Sequence, residues 1–393
     1  MPSSSLTRDP FSGLELMSEG AFASLGSMEA MDWDTLPQSK SPSILKGLLL
    51  AFAITATAIA SHHYLLKPAG IPLGSTALAM VVGIALQNLL TLPSVIQSGC
   101  RWIVTRLIPI AIVALGAGLD LSVLASSGLR YLFFIVTAIS VSIVSALFLG
   151  KLLKLKKSTA LLIGCGTGVC GSSAILAIAP ILKSDEEDII VSVGAINLIG
   201  ILAMFICISI GASFHIDAQT FGIWTGATIH AVPTVAAAAF DHSMEAGEIA
   251  TLVKLGRVAM LVPLIIIIAL VKHRQLNATT SSNGTKSSSL LSRGTKLIPW
   301  FVWGFALMAL TGSLGLLPEL SFPSTVFSTE PLTLDSTQMI RTAGKLLLAM
   351  AMAAIGLQVN LKSMLTAGKK AIIAAMLSWV TLTVIVLTLL WLI

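Results

Sequence analysis

Charge is what this chain has least of. Only 11% of its 393 residues are Asp, Glu, Lys or Arg, while 55% are hydrophobic. A soluble domain carries about 25% charged residues, so the composition excludes an ordinary soluble globular protein. Acidic side chains are missing from the middle of every long apolar run, and Asp120 stands only at the end of one. Cation-coupled pumps usually hold carboxylates at mid-membrane, so this gap argues against sodium/proton antiport. Cysteine is scarce as well. Cys100, Cys165, Cys170 and Cys207 show no CxxC spacing, and no disulfide framework is evident. Nothing in the sequence calls for a cofactor, a metal or a catalytic residue. The net charge of +6 sits in short connecting segments, as membrane topology expects, so no nucleic-acid partner is expected.

A secretory signal is also lacking. Asp9, Glu15, Glu19, Glu29, Asp32 and Asp34 dominate the first forty or so residues, with only Arg8 and Lys40 against them. No basic region precedes an apolar one, and acidity argues against an organelle transit peptide. Residues 1–42 read as a disordered acidic tail.

What remains is apolar sequence in runs of about 20 residues, the length that crosses a bilayer as helix. Roughly eleven such segments fall near 43–61, 71–91, 102–119, 131–150, 158–182, 189–212, 221–240, 249–271, 297–317, 340–360 and 367–393. The expected fold is therefore all-α: a polytopic membrane protein of about 11 transmembrane helices. Helices one to eight fill 43–274, a flexible polar linker occupies 275–296, and helices nine to eleven fill 297–393. Lys46, the lysines at 151, 154, 156 and 157, Lys272, Lys362, Lys369 and Lys370 share one side on this count. By the positive-inside rule that side is cytoplasmic, with the N-terminus inside and the C-terminus outside a plasma (inner) membrane. The acidic run from Asp185 to Asp188, and Asp241, Glu245 and Glu248, then fall outside.

Two echoes suggest internal repeats. Gly116, Asp120, Leu121 and Gly128 register with Gly356, Asn360, Leu361 and Gly368, and Arg101 with Arg341. An odd number of spans separates these pairs, so they would be inverted, as in many secondary transporters. A weaker echo relates Gly166, Cys170, Ala174, Asp188 and Asn197 to Gly226, His230, Thr234, Glu248 and Arg257. Span parity makes that second pair parallel, which a simple inverted repeat does not predict.

Two segments are too interrupted to be plain rods. Residues 164–174 read GCGTGVCGSSA, and residues 222–240 read GIWTGATIHAVPTVAAAAF. Glycine costs a helix interior about 1 kcal/mol relative to alanine, and Pro233 removes a backbone donor. Broken backbone at membrane depth survives only where protein or a watery cavity satisfies it. Two such breaks mark a central binding site. The first break offers Gly166, Thr167, Gly168, Cys170, Gly171, Ser172 and Ser173, with a helix restarting near Ser172 and aiming free N–H groups inward. The second offers Gly226, Thr228, His230 and Thr234. Lys254 and Arg257 lie three residues apart on one helix face, where they either snorkel to the interface or counterbalance an anion. Asn197 adds an amide at similar depth.

The segments GTGVCGSSAILAIAPILKSDEED, WTGATIHAVPTVAAA, KLGRVAMLVP, PWFVWGF and AIGLQVNL, in that order, resemble the YeiH-like family, which is named for sulfate export. The resemblance covers residues 43–393. It implies an inverted-repeat transporter, distantly similar to antiporters and symporters with crossed, broken helices, and a scaffold that often dimerises. It also implies Thr167, Cys170, Gly171, Ser173, His230, Lys254 and Arg257 near the cargo. Relatives often carry an acidic residue and a glutamine after the histidine, where this chain has Ala231 and Thr234. The expected function is alternating-access transport of a small inorganic or organic anion such as sulfate, with a proton or sodium ion as coupling ion. The rivals are a passive anion channel and an intramembrane enzyme using Ser172 or Cys170 with His230.

Overall fold

The computed structural model describes residues 43–69, 73–90, 92–119, 121–277, 300–317, 319–322, 332–362 and 368–392. The acidic tail and all but the first three residues of the predicted linker lie outside them, as does Asp120. The chain runs through α1 (Ser43–Ser61), extended by a π-helical turn (His62–Leu66), then α2 (Ser75–Leu89), α3 (Ser94–Leu115) and a 3-10 turn (Gly116–Gly118). It continues through α4 (Leu121–Leu152), α5 (Lys157–Gly168), α6 (Ser172–Leu182), α7 (Glu186–Ser213), α8 (Ala218–Thr228) and α9 (Val232–His242). Next come α10 (Met244–Ala259), α11 (Leu261–Asn277), α12 (Trp300–Ser313), α13 (Ser336–Gly356) and α14 (Lys369–Leu392). One antiparallel strand pair, β1 (Glu319–Phe322) and β2 (Leu332–Asp335), departs from the all-α expectation, in the connection between α12 and α13.

Among the described residues, seven stretches are long and apolar enough to cross a membrane: Ile44–Leu66, Val95–Gly118, Ser127–Leu152, Glu186–Ser213, Met244–Lys272, Ser336–Gly356 and Lys369–Leu392. Their exposed faces carry Leu, Phe, Ile and Val rather than charge, as lipid-facing helices require. The protein is thus a helical, multi-pass membrane protein.

Two predicted spans are corrected. Residues 158–182 do not form one crossing. Lys156, just before α5, pairs with Asp185, just after α6, at 2.9 Å. Ser158 and Thr159, in the first turn of α5, donate to Asp188 at 2.7 and 2.9 Å. The start of α5 therefore lies against the end of α6, and the two are the arms of a helical hairpin. At 12 and 11 residues each arm is about 17 Å long, too short for a hydrocarbon core of about 30 Å. The acidic run 185–188 consequently shares an end with Lys156 instead of lying opposite it.

Residues 221–240 behave alike. His242 at the end of α9 contacts the Ile216 carbonyl oxygen at 2.9 Å, and its ring stacks on Phe221 of α8 at 4.1 Å. So α8 and α9 form a second hairpin. Asp217 caps α8 by accepting the Thr220 N–H at 2.9 Å, a bond that holds its carboxyl below the usual range. Between the hairpin bases stands α7, whose 28 residues extend about 42 Å. The hairpins therefore enter from opposite ends of the protein, here named the Lys156 end and the His242 end. One crossing separates them, not two, so the parallel parity read from the sequence is corrected as well.

The helices sort into two groups by packing. In the first, α13 lies along α3 and α2, and α1 along α3 and α2, with α12 against the 3-10 turn and α3. In the second, α4 backs the first hairpin and α10 the second, while α7 touches both and α14 packs on α4, α5, α7 and α8. Contact between groups runs mainly through α9, which meets α2 and α13.

Candidate binding site at the hairpin tips

Each hairpin turns through a short non-helical tip. The first tip is Val169–Gly171. Gly171 adopts φ +80° and ψ −130°, a conformation costly for any residue with a Cβ, and its N–H closes on the Gly166 carbonyl at 2.9 Å. Helix α6 then restarts at Ser172, where the sequence places it. The second tip is Ile229–Ala231, extended backbone leading into α9. Pro233 sits in the first turn of α9, where its missing N–H would have no intrahelical partner anyway.

The tips meet in the interior. A Cβ on Gly171 would lie 3.8 Å from the His230 carbonyl oxygen. Behind them stand Lys254 and Arg257 on α10, both 0% exposed. Lys254 Nζ donates to the carbonyls of Val169 (2.6 Å), Ile229 (3.1 Å) and His230. Arg257 donates through Nε to Gly168 (2.8 Å), through Nη1 to Gly226 (2.9 Å) and Ile229 (3.1 Å), and through Nη2 to Thr167. These carbonyls belong to the C-terminal ends of α5 and α8. Such ends leave four acceptors without intrahelical donors and carry roughly half a negative charge. The two cations answer both needs at once. Neither is among the residues that line the cavity described next; the contacts they make are with the carbonyls of the two tips and the helix ends before them.

On the other side of the tips lies a small cavity of about 40 Å³. Gly171, Asn197, His230 and Thr234 line it from the second helix group, and Met80 and Ile355 close it from the first. His230 is 1% exposed, and neither ring nitrogen has a hydrogen-bond partner. Buried polar groups are nearly always satisfied, so a histidine with two idle nitrogens against a cavity stands out. Gly200, three residues beyond Asn197 on α7, makes room for that ring: a Cβ there would lie 3.3 Å from His230 Cβ. Gly200 was missed from the sequence, although its spacing puts it on the face of Asn197. The uncapped N-termini of α6 and α9 begin at Gly171 and Ala231, both on the cavity wall. Their first N–H groups lack intrahelical acceptors and carry partial positive charge.

The remaining predicted residues have other places. Gly166 packs against Ile175 and Ile196, Gly168 against Ile139 of α4, and Gly226 against Ala250 of α10. Thr167 is fully buried behind the tip, with its hydroxyl unpartnered. Thr228 donates to its own helix at Trp224, 2.8 Å away. Ser172 reaches Asn197 Oδ1 at 3.2 Å, which orients the amide at the cavity, and Thr234 donates to Ala231 at 2.9 Å. Cys170 and Ser173 are buried at the first tip. Ser172, Ser173 and Cys170 are not among the residues that line the cavity beside His230.

Residues 46–375 match the family described as Conserved hypothetical protein 698. The chain is 33% identical to a UPF0324 membrane protein of Agrobacterium fabrum, over 87% of this chain and 91% of that protein. It is 32% identical to one from Brucella melitensis, over 88% and 89%, and 32% identical to one from Staphylococcus epidermidis, over 87% and 94%. These matches agree with the family resemblance read from the sequence.

Proposed function

The chain belongs to the Conserved hypothetical protein 698 (UPF0324) family of membrane proteins, and from that premise and the tip geometry we propose that it is a secondary transporter for a small anion. One observation carries this reading: two half-membrane hairpins from opposite ends meet at a cavity faced by two helix N-termini and an unpartnered histidine. Helix N-termini are ready-made anion sites. In this chain the opposing C-terminal charge is already neutralised by Lys254 and Arg257. The anion rests against the N–H groups that open α6 and α9, with Asn197 as amide donor and His230 filling its idle valences. Oxyanions such as sulfate fit this donor set.

Each hairpin followed by its long helix, α5–α7 and α8–α11, forms one unit, and the two units are inverted about the tips. That symmetry supports alternating access, in which the hairpin group moves against the group of α1, α2, α3, α12 and α13. The Lys156 end, rich in lysine, faces the cytoplasm of the plasma membrane by the positive-inside rule.

Proteoliposomes loaded with labelled sulfate or small carboxylates test the reading. Wild type is expected to exchange internal for external anion, and His230→Ala and Asn197→Ala to cut exchange at least tenfold. Absence of flux for every anion tried would sink the transporter. Current that follows the ion gradient without countertransport would make the protein a channel.

A further inference from the structure

We propose that Asp241, at the base of the second hairpin, is a proton-binding site that couples proton uptake to opening of the His242 end. The proposal rests on the transport reading above but concerns a different place in the fold. Helix α2 starts at Ser75 after Gly74, with no side-chain cap of its own. Asp241 supplies the cap from another helix: its Oδ2 accepts the Ala77 N–H at 3.1 Å, with Thr76 beside it. A Cβ on Gly74 would collide with the carboxyl, so the fit is close. Since α2 belongs to one helix group and α9 to the other, this single carboxylate ties the two groups together.

Two further contacts close the same end. Arg341 of α13 pairs with Glu248 of α10, and Lys345 of α13 donates to the Phe240 carbonyl at 3.2 Å. These groups, with Glu245 on α10, His242 on α9 and His62 on the π-helical turn, make up the titratable surroundings of Asp241. A cavity of about 200 Å³ lies against the carboxyl, lined also by His62, Gly74, Phe221 and His242. It is large enough for several waters and gives a proton a route to the carboxylate.

The coupling step is simple. As an anion Asp241 makes a charge-assisted hydrogen bond and meets the positive end of α2, both of which favour the closed contact. A proton taken from the aqueous phase converts the carboxylate to a neutral acid. The charge-assisted bond and the dipole attraction are lost together, and α2 is released from α9. Low pH on this face therefore favours separation of the groups.

Spin labels at Tyr64→Cys and Phe214→Cys, exposed positions of the two groups at this end, read the opening without any cargo. In wild type the distance distribution is expected to shift to longer values between pH 8.5 and pH 5. Asp241→Asn is expected to give the long distribution at every pH, and Asp241→Glu to keep the shift with a moved midpoint. Glu248→Gln and His62→Asn are expected to retain it. A distribution unchanged by pH in wild type overturns the proposal, even if Asp241→Asn fails to fold. So does a shift that survives in Asp241→Asn or disappears in Glu248→Gln. If proteoliposomes move no anion while the pH-driven opening persists, the transport reading fails and the proton site stands. If they exchange anion but the distances ignore pH, the proton site alone fails.

Discussion

The two hairpin tips do the same topological job by different chemistry. The first reverses on small residues, with Gly171 at a positive φ that glycine tolerates. The second reverses on extended backbone and lets Pro233 open the next helix. Both lend their carbonyls to Lys254 and Arg257. Only the second presents a polar ring with idle nitrogens. In the proposed reading the first tip is a cradle, and the second supplies the recognition chemistry. The difference shows how two hairpins entering from opposite ends can share one pair of buried cations while presenting different groups to the cavity.

The comparison breaks most completely where the tips share a support. Arg257→Ala removes donors to the carbonyls of Thr167, Gly168, Gly226 and Ile229. A buried acceptor left without its donor costs about 1–3 kcal/mol, so both tips loosen together and stability falls by roughly 3–5 kcal/mol. Thermal unfolding in detergent measures this, and exchange of every anion is expected to vanish. Arg257→Lys, a point charge without the planar fork, is expected to recover only part of the stability. Equal unfolding temperatures for Arg257→Ala and wild type would show that the clamp bears no load.

A smaller change sharpens the contrast by touching the first tip alone. Gly171→Ala meets no hard obstacle, since the nearest atom to its Cβ would be Ile196 Cγ2 at 3.7 Å. Its cost is backbone strain, about 1–3 kcal/mol for such a φ and ψ. The expected result is a lower unfolding temperature with the order of anion preference kept, because the proposed recognition groups of the second tip are untouched. Altered selectivity would mean that the first tip recognises cargo directly.

Much of this site was legible in the sequence. The breaks at 164–174 and around His230, and the helix restart at Ser172, followed from glycine and proline chemistry. The fold-back of the two broken segments did not. A 25-residue apolar stretch with a central break has the same composition whether its halves continue across the membrane or return. The positive-inside rule counts Lys and Arg, and Asp and Glu contribute little to it, so the run at 185–188 was free to sit beside Lys156. Only a long-range contact such as Lys156 to Asp185 decides the matter. The roles of Lys254 and Arg257 were obscured for a related reason. Their acceptors are carbonyls at helix ends, and a backbone acceptor leaves no mark on residue type. Gly200 was hidden because its use lies in the space it leaves to a ring on another element.

His230→Leu turns the comparison around, because it removes recognition and should leave the fold intact. The imidazole is buried with both nitrogens unpartnered, and an unsatisfied buried polar group is a net cost to the folded state. Replacing it with an apolar side chain of similar reach removes that cost, so stability is expected to hold or rise by up to about 1 kcal/mol. Anion exchange is expected to fall at least tenfold in the same protein. A residue kept only for packing would behave oppositely, losing stability before function. The carbonyl of residue 230 still accepts from Lys254 in this variant, so the clamp survives and the tips stay joined. Measured side by side, unfolding temperature and exchange rate should move in opposite directions for His230→Leu and fall together for Arg257→Ala. If His230→Leu unfolds several degrees lower while exchange persists, the ring is a core residue and the cavity beside it is not where cargo binds.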